Sequence, residues 1–406
     1  MRRLISFLLC LIAFTIPWEE FVQIPQIGTV ARLIAYVALG LVPFAFLFSP
    51  RIRPLKGIHL MMGGFLLWSG VTLLWTVDEA MTLERVGIYA RSVGLAWMFW
   101  EYTATLKSQH RVMQAFLCGG LFAIGNQFWS FVSARGFDDS IARVTGGKLN
   151  ANDLAYVLVA SIVFALYLAA DPKVSRKLRF IYWGYAALAS VSVLLTASRM
   201  GVILLAFCFA YFFLWLLRRN ATAAFMLLVF MGVSLTGAVM WFLPKEGMQR
   251  LLKTHESLSV DAGDSDRLGG RMAIWESAAI LAKRKPIVGY GAGVFEIVIK
   301  REFHHPRTVT AHNSYISIQV GMGIIGLFFF AGVQAFALKY AWGLPKIERS
   351  VWLLLLVLLY ISSTVLGLEH SKTIWMTMGL VTSHAETVAR QLAAAARLPR
   401  RNRCPI

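Results

Sequence analysis

Apolar stretches of about 20 residues recur from one end of this chain to the other, a length that matches a bilayer hydrocarbon core of about 30 Å. Inside lipid the backbone has no water to bond, so such stretches can satisfy their amides and carbonyls only as helices or as a closed barrel. The alternation of apolar and polar residues that barrel strands need is absent. Candidate spans fall at 4 to 18, 29 to 49, 57 to 76, 83 to 103, 111 to 133, 151 to 169, 179 to 197, 200 to 217, 222 to 243, 313 to 338, 350 to 367 and 373 to 389. With 58% hydrophobic and only 15% charged residues and a mean hydropathy of +0.63, the expected fold class is an all-α polytopic membrane protein of about twelve transmembrane helices. The organisation expected is helices 1 to 9 within 1–243, one large outward loop with short helices over 244–312, helices 10 to 12 within 313–389, and a basic tail over 390–406.

A net charge of +19 suggests nucleic acid until its distribution is examined. Alternate short segments carry Arg2 and Arg3, then Arg51, Arg53 and Lys56, then Lys107 and Arg111, then Lys173 to Arg179, and so on to the tail. The intervening loops hold Glu19 and Glu20, Asp78 and Glu79, and Asp138 and Asp139. By the positive-inside rule both termini are cytoplasmic, and most of the basic excess records topology rather than nucleic-acid binding. The first apolar segment follows Arg2 and Arg3 like a secretory leader but lacks a small-x-small cleavage site, so it is expected to stay as the first helix. The four cysteines, Cys10, Cys118, Cys208 and Cys404, sit in spans or on the tail, so no disulfide framework or zinc site is expected.

The informative residues are those that topology does not explain. His312, in Thr310-Ala311-His312-Asn313-Ser314-Tyr315, ends the long outward loop at the mouth of a membrane helix. Its imidazole can act as a general base near neutral pH, although a plain helix-start histidine would look the same. Arg199, in Thr196-Ala197-Ser198-Arg199-Met200-Gly201, occupies a corner between two spans with almost no loop. A guanidinium there must snorkel or meet an anion, and its fork suits phosphate. Arg271 follows Gly269-Gly270 and is expected to begin an amphipathic helix with Ile274, Trp275, Ala278, Ala279 and Ala282 on one face, resting on the membrane surface. The segment from Arg143 through Asn150 and Asn152 offers basic and amide groups for a sugar or diphosphate, or alternatively a helix cap. Arg85 and Arg91 lie near the outer end of the fourth span as weaker candidates. The glycine-rich run Gly289 to Gly293 lacks the strand context of a dinucleotide fingerprint and is read as a turn, and no P-loop occurs. Asp264-Ser265-Asp266, which could suggest a metal, reads as a solvated loop.

The string His312-Asn313, nine residues, Gly323, two residues, Gly326 is similar to the His-[Asn/Ser/Gln]-x9-Gly-x2-[Gly/Thr/Tyr] pattern of bacterial O-antigen ligases. The Ser198-Arg199 corner, the Arg271 helix start and the Arg143 to Asn152 segment also resemble the O-antigen ligase and polymerase superfamily, as do the length and the single late outward loop. The resemblance implies transfer of O-antigen polysaccharide from undecaprenyl diphosphate to lipid A-core. The reaction would take place on the periplasmic face of the bacterial inner membrane, among membrane lipids, with no nucleotide, metal or other cofactor. It further implies His312 as the base and Arg199 and Arg271 on the diphosphate, with Arg143, Asn150, Asn152, Asn313 and Arg91 as further substrate contacts. An O-antigen polymerase and a protein O-oligosaccharyltransferase are the alternatives within the superfamily, and a lipid-linked glycan flippase the alternative outside it. Internal repeats and mid-bilayer charges, which mark transporters, are not evident.

Overall fold

The computed structural model describes residues 1–48, 52–134, 145, 150–218, 232, 268–304 and 309–397. In chain order the α-helices are α1 (Arg2–Thr15), α2 (Val30–Phe48), α3 (Gly57–Val71), α4 (Glu79–Tyr102), α5 (Leu106–Ala134), α6 (Ala151–Ala170), α7 (Arg176–Leu195), α8 (Arg199–Leu217), α9 (Leu268–Arg284), α10 (Phe295–Phe303), α11 (Ser314–Trp342), α12 (Lys346–Ser363) and α13 (Lys372–Arg397). The sheet among the described residues is a two-residue antiparallel ladder, β1 (Gln23–Ile24) on β2 (Gly28–Thr29), with Gln23 opposite Thr29 and Ile24 opposite Gly28. Eleven of the twelve expected spans coincide with helices; the ninth, 222 to 243, lies outside the described residues apart from Gly232. Six of these helices are long and apolar enough to cross a membrane, and Arg199–Trp215 is apolar but shorter.

Helix α6 forms the centre. It is apolar all round, from Leu154 through Leu166 nearly every residue is buried, and α5, α7, α8 and α12 pack around it. A second buried axis pairs α13 with α4, and a third pairs α11 with α3. Helix α1 is anchored between α2 and α5 by Ile5, Leu9 and Ile12, none of which is exposed. The outer helices turn large apolar side chains away from the bundle, among them Leu39, Phe44, Leu47 and Phe48 on α2 and Ile324 and Phe328 on α11. Such a surface is costly in water and neutral in lipid.

Helix α9 departs from expectation. It starts at Leu268, before both glycines, so Arg271 sits in its first turn rather than at its start. Its buried face is Ile274, Ala278 and Leu281, while Ala279 is exposed. That face packs into a second small core with Tyr290, Val294, Phe295, Val298, Ile299, Val309 and Ala311, so protein rather than a free surface covers it.

Candidate functional site

Three helix starts, those of α6, α8 and α11, and the connection between α12 and α13 meet at one end of the bundle. At α11, Asn313 is the N-cap: its Oδ1 accepts the amides of Tyr315 at 3.0 Å and Ile316 at 3.1 Å. His312, immediately before the cap, holds a left-handed backbone with φ of 44°. That conformation costs a non-glycine residue about 1–2 kcal/mol and persists where surrounding contacts enforce it. Here the contacts are visible on both sides. Trp275 of α9 donates its indole N–H to the Ala311 carbonyl at 2.8 Å, and the Ser314 hydroxyl donates to Leu366 O at 3.1 Å while accepting the Leu368 amide at 2.7 Å.

The corner between α7 and α8 is built similarly. Ala197 is left-handed at φ 48°, and the buried Ser198 accepts the Gly201 amide at 3.1 Å. Its hydroxyl donates to Asn152 Oδ1 at 2.8 Å, which ties the start of α8 to the start of α6. Asn150 caps α6 by accepting the Asn152 amide at 2.9 Å.

Between these starts lies a cavity of about 270 Å³ lined by His312, Asn150, Asn152, Asp153, Arg85, Glu369 and His370, among others. Asp153, Gly367 and His370 also line an adjoining cavity of about 480 Å³, which carries Arg32, Arg91 and Lys372 together with Glu19 and Glu20. His312, Asn150 and Asn152 are therefore brought together, and Arg91 stands in the neighbouring chamber. Arg199 and Arg271, both half-buried, line neither cavity; each is separated from a wall by one residue and one hydrogen bond. Arg199 follows Ser198, which holds Asn152. Arg271 Nη1 donates to Val365 O at 3.2 Å, beside the lining residue Leu366. Asn313 spends its side-chain oxygen on the helix cap. Arg143 and Asp264 to Asp266 lie outside the described residues.

Residues 184–331 match the family model described as O-antigen ligase. Over that stretch the chain is similar to the O-antigen ligase family. The matched stretch contains Arg199, Arg271, His312, Gly323 and Gly326, whereas Arg91, Asn150 and Asn152 enter the site from outside it. No curated protein matches the chain.

Gly323, the first glycine of the histidine motif, has a structural reason. Helix α11 breaks at Gly323, whose φ of 64° and ψ of −167° lie in a region essentially restricted to glycine. The break lets the Pro286 to Gly293 turn dock on the helix backbone: Tyr290 N donates to Val320 O at 3.0 Å, Gly291 N to Gly321 O at 2.8 Å, and Ile324 N to Pro286 O at 2.9 Å. A Cβ on Gly323 would overlap the Ile287 carbonyl, and one on Gly293 would strike the Arg85 side chain. The turn thereby links α11 to the arginine that lines the His312 cavity.

Sequence reasoning missed Glu369 and His370. Glu369 is 3% exposed; its Oε1 accepts the Ser317 hydroxyl at 3.3 Å and lies 3.9 Å from Arg85 Nη1 and 3.8 Å from His370 Nδ1. Arg85 Nη1 and His370 Nδ1 are 3.2 Å apart. Burial pushes the Glu369 carboxyl up, but the neighbouring His370 imidazole and Arg85 guanidinium outweigh it and hold the group down at about 2. Its other oxygen is buried with no hydrogen-bond partner among the described residues. The same connection reaches α6 through Ser371 and Tyr156 at 2.6 Å, and the segment after α1 through an ion pair of Lys372 with Glu19. The available signal was a Glu-His pair, Glu369-His370, within a connection of eight residues between two apolar spans.

Proposed function

We propose that this protein is an O-antigen ligase: a glycosyltransferase that moves polysaccharide from undecaprenyl diphosphate to lipid A-core at the periplasmic face of the inner membrane. The observation that carries the reading is the placement of His312, held left-handed by its neighbours, in a cavity walled by Asn150 and Asn152, with the Ser198-Arg199 corner bonded to that wall. About twelve spans with both termini cytoplasmic put this end of the bundle outward, where the acidic loops lie.

A lipid-linked diphosphate is a good leaving group, so the protein must supply a base and neutralise departing charge. The acceptor hydroxyl oxygen attacks the anomeric carbon of the donor sugar and the bond from that carbon to the diphosphate oxygen breaks. The hydroxyl proton passes to the His312 imidazole, and undecaprenyl diphosphate departs against Arg199 and Arg271, with Arg91 and Arg143 as further cations. One in-line displacement inverts the anomeric centre. No residue in this scheme requires a metal, and transfer is expected to survive chelation.

In cells lacking their own ligase, His312→Ala should leave lipopolysaccharide without polymer while lipid-linked polymer accumulates. A flippase would not separate the two readouts this way, and a polymerase would show lost chain extension instead. Retention of anomeric configuration between donor and product would exclude the single-displacement scheme.

A further inference from the structure

A third cavity, of about 590 Å³, lies at the opposite end of the bundle, between the start of α1, the end of α4 and the start of α5. Its acid is already committed. Glu101, fully buried, accepts the Arg2 guanidinium at 2.6 Å on one oxygen and the Arg53 amide at 3.1 Å on the other. Arg53 itself turns inward, to the Trp100 carbonyl and to Glu386 at 2.7 Å. Arg3 and Arg111, which also line the cavity, have no anionic partner among the described residues.

Two further observations point to a ligand here. Tyr102 lines the cavity, is only 5% exposed, and its hydroxyl has no hydrogen-bond partner among the described residues. A buried hydroxyl left unpaired is unfavourable, so an acceptor from outside the protein fits that position. The 29-residue helix α5 also begins at this cavity. Thr105 and Ser108 cap each other, Thr105 N donating to Ser108 Oγ and Ser108 N to Thr105 Oγ1, both at 3.2 Å, and the positive end of the helix dipole faces the space. Phe7, 58% exposed, stands on the wall, and Leu4, 45% exposed, lies one turn earlier on the same helix.

We infer that this cavity is a binding site for the phosphodiester headgroup of an anionic phospholipid of the cytoplasmic leaflet. Arg3 and Arg111 grip the phosphate, the Tyr102 hydroxyl donates to it, and Phe7 and Leu4 line the path of an acyl chain. A free phosphate would use the cations and the helix start but not the apolar track. The occupant is therefore a lipid, and the site is separate from the chemistry at the His312 end.

The test is native mass spectrometry of the full-length protein in detergent, titrated with phosphatidylglycerol, with phosphatidylcholine, and with inorganic phosphate. Wild type is expected to retain one phosphatidylglycerol in preference to phosphatidylcholine and to be indifferent to inorganic phosphate. Arg3→Ala with Arg111→Ala should weaken retention about tenfold or more, and Tyr102→Phe, which keeps the ring, severalfold. Lys346→Ala with Arg349→Ala removes the same charge elsewhere on this end and should leave retention unchanged. Equal retention of both lipids, displacement by inorganic phosphate, or equal losses in the two double variants would overturn the proposal. Thermal unfolding of each variant separates a lost ligand from a lost fold, and unchanged retention by a folded Arg3/Arg111 variant would count against it as well.

Discussion

Replacing Gly323 by alanine perturbs the break in α11 without touching His312, Arg199 or Arg271. The native backbone, φ 64° and ψ −167°, lies where an L side chain costs about 1–3 kcal/mol. The new Cβ would also overlap the Ile287 carbonyl, which is backbone and cannot swing aside, adding about 1–3 kcal/mol of overpacking. The sum, about 2–6 kcal/mol, can be relieved only by pulling the Pro286 to Gly293 turn off α11, which breaks the bonds from Tyr290, Gly291 and Ile324. Because Gly293 abuts Arg85, the His312 cavity should open with it. Thermal unfolding in detergent should show a midpoint lower by roughly 5 °C or more, with polysaccharide transfer reduced at temperatures where the variant remains folded. Gly63→Ala is the control: it is helical, nothing lies within 4 Å of its added Cβ, and it should be neutral or slightly stabilising. A Gly323→Ala variant as stable and as active as Gly63→Ala would refute the reasoning.

Three further outcomes follow from the site. His312→Gly should be more stable than His312→Ala by about 1 kcal/mol, because glycine takes φ 44° without strain; equal unfolding midpoints for two inactive proteins would contradict this. Asn313→Ala should lose about 1 kcal/mol of stability along with activity, while Asn313→Asp, which keeps the cap, should recover most of the stability. Glu369→Gln should destabilise the protein near neutral pH. The Glu369 carboxyl is held at about 2 when folded and lies near 4.5 unfolded, so its contribution is complete above about pH 5 and drains away as pH falls toward 2. The gap in unfolding midpoint between wild type and Glu369→Gln should therefore narrow on acidification, and a gap that widens would reverse the assignment.

What the sequence carries plainly is anything encoded by a local pattern. Apolar runs marked the helices, and Ser198-Arg199 marked a corner because two runs abut there. His312 stood out as a polar residue at the mouth of a span. Contacts between distant segments were not legible. Gly289, Gly291 and Gly293 read as a turn, yet the need for glycine comes from Gly321, Thr76 and Arg85, which approach them from far along the chain. Arg85 looked like a weak isolated charge because its partners Glu369 and His370 lie nearly three hundred residues away. The α9 face was misjudged for the same reason: Leu281 is buried among residues of α10 and the segment before His312, which no helical periodicity in α9 could announce. Asn150 and Asn313 show the opposite limit, since residues read as substrate contacts use their side-chain oxygens to cap helices.

In the proposed reaction His312 acts on the acceptor, and Arg199 and Arg271 act on the diphosphate. This division is tested most directly by measuring, on the same purified variants, undecaprenyl diphosphate affinity and polysaccharide transfer to lipid A-core. The account predicts that His312→Ala binds the diphosphate lipid like wild type yet transfers at least about a hundredfold more slowly, whereas Arg199→Ala and Arg271→Ala each weaken binding about tenfold or more. Transfer by His312→Ala at the wild-type rate, or unchanged diphosphate affinity in both arginine variants, would contradict it.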